Sequence, residues 1–446
     1  MRKNDPLLVI GSGPGGIVAA LRAAKNGKDV ILAEKDKIGG VCVNRGCIPF
    51  KSLIHAAERA HLPSISSEMG IEAEIQVNYE PLSAWARSQS KKLATTLKFR
   101  LKRADVKFTQ GEASFVSSTS AEVNGETITF DNAIIATGSH PLELPNIPID
   151  HEHVLSSADL LELNTLPDEL IFIGAGYIGM EVGTALRKLG AKVTIVEMME
   201  QILPTFEKLM VQPIQKKAEA LGLMLHLNQT VKEVQKENRK VVVYTKEGEQ
   251  FTADKCLLAI GRTPHTEGLN LEATEVNVDQ KGFIQVDERC QTHDSRIYAI
   301  GDVIGGKMLA HKAYNDAVTA VDAMQGQATP KRFIPEVVFT DPQLARVGSL
   351  DDQYHIGRAT YKAIGASFTK HQTEGLIQIA VDDSEIIKGG QIVGVEASEI
   401  IHEIAVAVKN KLTAKELVHT VHVHPTISEG IVIAAENAMD LPPSIL

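Results

Sequence analysis

The chain carries one structural plan twice, and that repeat restricts its fold more than any other feature. Residues Leu7 to Ala24 read as a short apolar run, a glycine turn and a helical stretch, LLVIGSGPGGIVAALRAA, followed by a second apolar run (Val30 to Ala33) ending at Glu34. Residues Ile171 to Glu197, IFIGAGYIGMEVGTALRKLGAKVTIVE, repeat it. In each copy the acidic residue lies 23 positions after the first glycine, Gly11 to Glu34 and Gly174 to Glu197. Each copy later closes on an apolar strand ending in glycine, IIATG (Ile134 to Gly138) and LLAIG (Leu257 to Gly261). A glycine turn between strand and helix, with an acid about 20 residues on, is the pattern of a strand–helix–strand nucleotide-binding unit.

Everything else places the two copies in one large α/β chain. Its 446 residues suit roughly three domains. The composition is 43% hydrophobic but only 4% aromatic, with a single tryptophan (Trp85) and 34 glycines. Aliphatic runs of that kind fit parallel strands buried on both faces. Between the copies, Pro141, Pro145 and Pro148 exclude a helix or a central strand, so the stretch PLELPNIPID is a linker. A second boundary falls near Pro330, in QGQATPKRF. Beyond it come strand-like runs (Val337 to Thr340, Leu376 to Val381, Gln391 to Val395) and a helical pattern from Ser398 to Asn410 with Ile400, Ile401, Ile404 and Val408 on one face. The expected architecture is two doubly wound dinucleotide-binding domains, 1–147 with 265–330 and 148–264, followed by an α+β interface domain, 331–446. A net charge of −10 argues against a nucleic-acid partner. No run approaches the roughly 20 apolar residues of a membrane span, and the first glycines interrupt any signal-peptide core. A cytoplasmic protein is expected.

Glycine loops of this kind have a physical purpose. The first glycine allows the tight turn, the second (Gly13, Gly176) lets backbone approach a pyrophosphate, and the third (Gly16, Gly179) lets helix pack on strand. The helix then offers unpaired N–H groups and the positive end of its dipole to phosphate. Glu34 and Glu197 are placed to accept a ribose hydroxyl. After Glu197 the sequence MMEQ offers no arginine for a 2′-phosphate, which favours NAD over NADP.

Four cysteines in this length form no disulfide scaffold. Cys256 and Cys290 are isolated, whereas Cys42 and Cys47 flank a short loop in GGVCVNRGCIPFK, directly after the first glycine fingerprint. Pro49 marks a helix start, so Cys47 falls at a helix N-terminus, where the thiolate is favoured. A pair closing so short a loop suits a labile, catalytic disulfide. Two structural thiols, or half of a metal site, are the competing readings of this spacing.

The segment GGVCVNRGCIPFK resembles the redox-active segment of the flavoprotein pyridine nucleotide-disulfide oxidoreductases. The likeness runs through LLAIGRTP, RIYAIGDV, LAHKA, VVFTDPQLARVG and VHVHPTISEG, and so covers essentially the whole chain. It implies FAD in the first domain and NAD in the second, with Cys42 and Cys47 as the redox pair. By the same resemblance Asp302, Thr137 and Gly138 bind the flavin nucleotide, and the backbone of Leu309, Ala310 and His311 lies near its ring. Lys51 stands beside the ring with Glu181 as ion-pair partner, Tyr177 covers the flavin, and Gly261 and Arg262 belong to the nicotinamide site. His424 and Glu429 match a general base and its orienting carboxylate, supplied across a homodimer. Read without the resemblance, His422 and His424 are a metal-binding or plain surface pair; no third ligand is evident, so no metal is expected.

Within the family the likeness is greatest to the dihydrolipoamide dehydrogenases. The C-terminus, LPPSIL, lacks the cysteine pair of mercuric reductases, and no arginine follows Glu197 as in glutathione reductases. The implied partners are a lipoyl-bearing carrier protein or a 2-oxoacid dehydrogenase complex. Two alternatives remain: an NADH-dependent reductase of another small disulfide, and a flavin-binding interaction subunit of low activity. The chain departs from the family in two places. Phe50 stands where a small serine or threonine is usual, and Ser349 to Tyr361 is short.

Overall fold

The computed structural model describes residues 5–327 and 333–445; the boundary expected at Pro330 lies outside them. The first glycine unit forms a five-stranded parallel sheet in the order Ile297–Ala299, Asn132–Ile135, Leu7–Ile10, Val30–Glu34, Lys107–Gln110. Leu8 sits between Ile31 and Ala133, all in buried or nearly buried strands, as expected of aliphatic runs covered on both faces. The second unit repeats the layout with Met224–His226, Lys192–Val196, Glu169–Ile173, Lys255–Leu258 and Val154–Leu155. The duplication extends further than the sequence indicates. Each unit carries its own three-stranded antiparallel meander, Ala113–Ser117 to Glu126–Thr129 in the first and Val231–Glu237 to Gln250–Ala253 in the second.

The proline-rich stretch avoids both sheets, as its missing donors require. Ser139–Pro141 pairs only with Arg262–Pro264, in a two-stranded ribbon where the chain passes between the units. The first sheet receives its last strand, Ile297–Ala299, only after the second sheet is complete.

The last part of the chain is an antiparallel sheet in the order Glu336–Val338, Gln343–Gly348, Ile387–Gly394, Leu376–Val381, His355–Thr360. Helix Ala397–Asn410 buries Ile400, Ile401, Ile404 and Val408 against it, as the helical spacing predicts. Helix Glu429–Ala438 comes so close to the edge strand that a Cβ at Gly357 would meet the Ala434 carbonyl oxygen at 1.9 Å. That approach fixes where the helix begins, and therefore where Glu429 stands. Among the described residues no helix is long and apolar enough to cross a membrane.

One apolar cluster joins all three parts. It takes Phe50, Leu53 and Tyr79 from the first, Leu155, Phe172 and Met180 from the second, and Val338, Leu344 and Val393 from the third. Phe50 is 5% exposed within it. The ring that looks out of place in the sequence is thus a packing residue at the junction, three positions after Cys47. Phe50→Ala is expected to lower the unfolding free energy by about 3–5 kcal/mol, the usual cost of emptying a buried aromatic site. A denaturant midpoint unchanged from that of the parent chain would contradict this.

Candidate active site

Both glycine loops have the same geometry. Helices Pro14–Lys25 and Tyr177–Lys188 begin at Gly13 and Gly176, and neither start has a side-chain cap or an acidic residue in its first turn. Their N–H groups are left for a ligand. A Cβ on Gly16 would lie 1.9 Å from the Gly11 carbonyl oxygen, and one on Gly179 would lie 2.1 Å from that of Gly174. Glycine is required there by the close approach of helix and turn. At Gly13 and Gly176, by contrast, a Cβ would meet nothing within 4 Å. The protein leaves that space open beside unpaired N–H groups, which fits a pyrophosphate at both sites.

The acidic residues are fixed from below. Glu34 Oε2 accepts the N–H and hydroxyl of Ser12, each at 2.8 Å, and Oε1 accepts Asp36 N–H at 2.8 Å. Glu197 repeats this with Ala175 N–H at 2.6 Å and Met199 N–H at 2.8 Å. Each carboxylate therefore braces its own glycine loop. Sequence reasoning passes over Ser12, although its place inside the turn is a signal. Beside Glu197, Met198 and Met199 are exposed and bring no positive charge.

A cleft of about 680 Å³ runs from the first loop toward the second unit. Its lining includes Gly11, Gly13 and Glu34, Thr137, Gly138 and Asp302, and Cys42, Cys47, Lys51, Tyr177, Glu181 and Arg262. Ala310 lines it with Met308 and Ala313, whereas Leu309 and His311 do not; the His311 ring meets the Pro335 carbonyl, 2.6 Å away. Gly16, Gly174, Gly176, Gly179, Glu197 and Gly261 also lie off this lining. Asp302 is held by the Ser139 hydroxyl at 2.6 Å, and Arg262 binds the same hydroxyl at 2.7 Å.

Cys47 opens the helix Cys47–Ser66, and Cys42 lies on the short helix Gly40–Asn44 before it. Both are free thiols here. The Cys47 thiol is held down to about 7, first by a hydrogen bond from Cys42, against burial, and then by the Lys51 charge and its own backbone N–H. Cys42 is pushed up, chiefly by donating that hydrogen bond and by burial. One sulfur is thus a thiolate near neutral pH and the other a protonated thiol, a division of labour suited to thiol–disulfide exchange. Burial pushes the isolated thiols Cys256 and Cys290 upward.

Lys51 Nζ lies 2.6 Å from Glu181 Oε2, and the other Glu181 oxygen accepts Phe339 N–H at 2.9 Å. The Lys51 ammonium also sits 4.7 Å from the centre of the Phe339 ring. This contact joins the redox helix, the second glycine unit and the interface sheet. In the sequence Phe339 stands out only as part of the longer motif VVFTDPQLARVG.

His424 and Glu429 are together but do not line the cleft that holds the cysteines of their own chain. His424 Nδ1 is 2.9 Å from Glu429 Oε1, and Glu429 Oε2 accepts Thr426 N–H at 2.9 Å. Burial raises the Glu429 carboxyl, but these contacts outweigh it and hold the group below its ordinary value. The His424 side chain is 66% exposed, leaving Nε2 free. Elsewhere, His140, His265 and Glu267 group their ligand atoms within 4.8 Å. Lys35 Nζ already lies 2.5 Å from His265 Nε2, a positive charge that opposes a cation there.

Compared with known proteins, residues 5–317 match the pyridine nucleotide-disulphide oxidoreductases and residues 334–435 match the dimerisation domain of that family. The chain is 38% identical to the dihydrolipoyl dehydrogenase of Haloferax volcanii, over 97% of this chain and 96% of that one. It is 39% identical to the dihydrolipoyl dehydrogenase of Geobacillus stearothermophilus, over 98% and 97%. The crystal structure of LpdA from Mycobacterium tuberculosis covers 97% of this chain and 99% of its own at a TM-score of 0.92 and 27% identity.

The electrostatics of the cysteine pair give a direct expectation. In the reduced protein, thiolate absorbance in the ultraviolet should develop with a midpoint at about pH 7, from Cys47. Lys51→Met removes a charge that favours the thiolate, so the midpoint should move upward. A titration indifferent to that substitution would show that Lys51 does not act on the sulfur.

Proposed function

The chain belongs to the pyridine nucleotide-disulphide oxidoreductase family, and from that premise we propose that it is a dihydrolipoyl dehydrogenase, oxidising protein-bound dihydrolipoyl groups through Cys42 and Cys47, FAD and NAD. The observation that carries this reading is the placement of the cysteine pair on the wall of the cleft that starts at the first glycine loop and reaches the second unit at Tyr177 and Glu181. Dithiol chemistry and dinucleotide chemistry can there share one site. The open position at Gly13 supports the flavin pyrophosphate in the first unit, taken as 1–147 with 265–330, with Glu34 at the ribose. Thr137, Gly138, Asp302 and Ala310 complete that site, with Lys51 beside the ring, whereas Leu309 and His311 lie off the cleft lining. Gly174, Gly176, Gly179 and Glu197 serve NAD in the unit 148–264, with Tyr177, Glu181, Gly261 and Arg262 toward the nicotinamide.

His424 starts the reaction. Glu429 holds its Nδ1, so the exposed Nε2 takes the proton of a dihydrolipoyl thiol. The resulting thiolate attacks Cys42 of the Cys42–Cys47 disulfide, and that bond breaks to leave Cys47 as thiolate. The second substrate thiol gives up its proton and displaces Cys42, closing the lipoyl disulfide; one of the two substrate protons ends on Cys42, and the other leaves through His424 to solvent. The Lys51 charge and the backbone N–H of Cys47 both favour its thiolate, and so its departure in the first exchange. FAD, which Gly13, Glu34 and Lys51 would hold in the cleft, would supply two-electron transfer between the reduced cysteines and NAD.

His424 does not line the cleft of its own chain's cysteines, which supports a homodimer in which it serves the partner subunit's cysteine pair. Helix Glu429–Ala438 and the antiparallel sheet, within the stretch matching a dimerisation domain, would form that interface. A cytoplasmic setting and a lipoyl-bearing carrier protein or 2-oxoacid dehydrogenase complex complete the proposal.

Steady-state turnover of free and protein-bound dihydrolipoyl groups with NAD tests the reading, and failure on both substrates would reject it. Cys42→Ser should retain flavin yet lose dihydrolipoamide oxidation, because no disulfide remains to be attacked; near-normal turnover would remove the exchange mechanism. With Glu197 at the ribose, NAD should be preferred over NADP by at least about tenfold in kcat/KM, or about 1.4 kcal/mol. Equal use of the two would show that Glu197 does not face a ribose.

A further inference from the structure

Beside the His424–Glu429 pair lies a second histidine–carboxylate pair that the exchange chemistry leaves unused. His422 Nε2 is 2.6 Å from Glu403 Oε1, and its Nδ1 is 2.8 Å from the Thr420 carbonyl oxygen. The His422 side chain is 7% exposed, whereas Val421 and Val423 on either side are 95% and 75% exposed. Among the described residues, 421–425 make no backbone–backbone hydrogen bond. His424 Nδ1 and Thr426 N–H are both held by Glu429. Between Thr420 and Thr426, then, the chain has one inward anchor besides the His424–Glu429 pair itself, His422 on Glu403. Its far end is fixed, because Glu403 stands on helix Ala397–Asn410, whose Ile400, Ile401 and Ile404 are sunk in the core of the interface domain.

We propose that His422 is a positioning residue for dithiol oxidation, tying the loop that presents His424 to the interface helix through Glu403. The inference rests on the reading of His424 as the base. With both ring nitrogens engaged and its ring covered, His422 has none to offer a substrate, which separates its role from that of its neighbour. A base on an unanchored segment samples many positions. Proton transfer needs it within hydrogen-bond reach of one thiol, and a displacement of about 1 Å can cost a hundredfold in rate.

The test uses the flavin-loaded enzyme and two reactions. Oxidation of dihydrolipoamide by NAD needs the base, whereas reduction of ferricyanide by NADH does not. His422→Ala and Glu403→Ala should each lower kcat for dihydrolipoamide by about ten- to hundredfold. The double variant should be no worse than either, since both substitutions break one contact. His422→Gln, whose amide can still donate to Glu403, should recover most of the rate. NADH–ferricyanide turnover and flavin content should stay within about twofold of the parent in all of them. A dihydrolipoamide kcat within about twofold of the parent in His422→Ala would overturn the proposal. So would equal losses on both reactions, which would mark a general structural role. His424→Gln run in parallel keeps the two readings apart. If that substitution is harmless, the assignment of the base fails; if it is damaging while His422→Ala is not, only the anchor fails.

Discussion

Glu181 is 4% exposed, and both of its oxygens are committed, one to Lys51 and the other to the backbone N–H of Phe339. A carboxylate so deeply placed is costly to leave unpaired, by several kcal/mol, so the groups that satisfy it must arrive together. Lys51 comes from the redox helix, Glu181 from the second glycine unit and Phe339 from the interface part. The same charge arrangement reaches Cys47, which Lys51 draws down and Glu181 draws up. Position and reactivity thus share one source. Phe50 and Leu53 lie in the same helix as Lys51, and the apolar cluster they belong to holds the three parts in the register that the carboxylate requires.

Features set by backbone chemistry are legible in the amino-acid order alone. A glycine loop cannot be replaced without collision at Gly16 or Gly179, so its sequence pattern is nearly unambiguous. The aliphatic runs announce parallel strands for the same kind of reason. The cysteine spacing and the histidine motif are also readable, the latter through family likeness. Contacts between residues distant in sequence are not. The acidity of Cys47 is expected from its helix end, yet its largest cause is the hydrogen bond from Cys42, with Lys51 adding to it. Phe50 looks like a change at the cysteine; its burial among residues of all three parts is a tertiary fact that no local pattern encodes. His422 carries no legible role in sequence because its partner, Glu403, lies on a different element.

The doubled architecture separates functions that would conflict in a single site. Each glycine loop is braced by its own buried acid, so the two nucleotide positions are independent at the level of local structure. They converge where Tyr177, Glu181 and their neighbours in the second unit reach the cleft that holds the cysteines. The His424–Glu429 pair lies in a third part of the chain, placed by helix packing at Gly357 rather than by either loop.

The late return of Ile297–Ala299 to the first sheet has a consequence for how the chain is made. Its neighbour Asn132–Ile135 emerges from the ribosome far earlier, and the strands of the second sheet all emerge in between. The inserted unit can therefore collapse on local contacts while the outer one waits with an open edge beside Asn132–Ile135. Compacting the insertion brings the two separated ends close and cuts the loop-closure entropy that the last pairing must overcome. Synthesis order thus makes the inserted unit a scaffold for the assembly of the one that begins first.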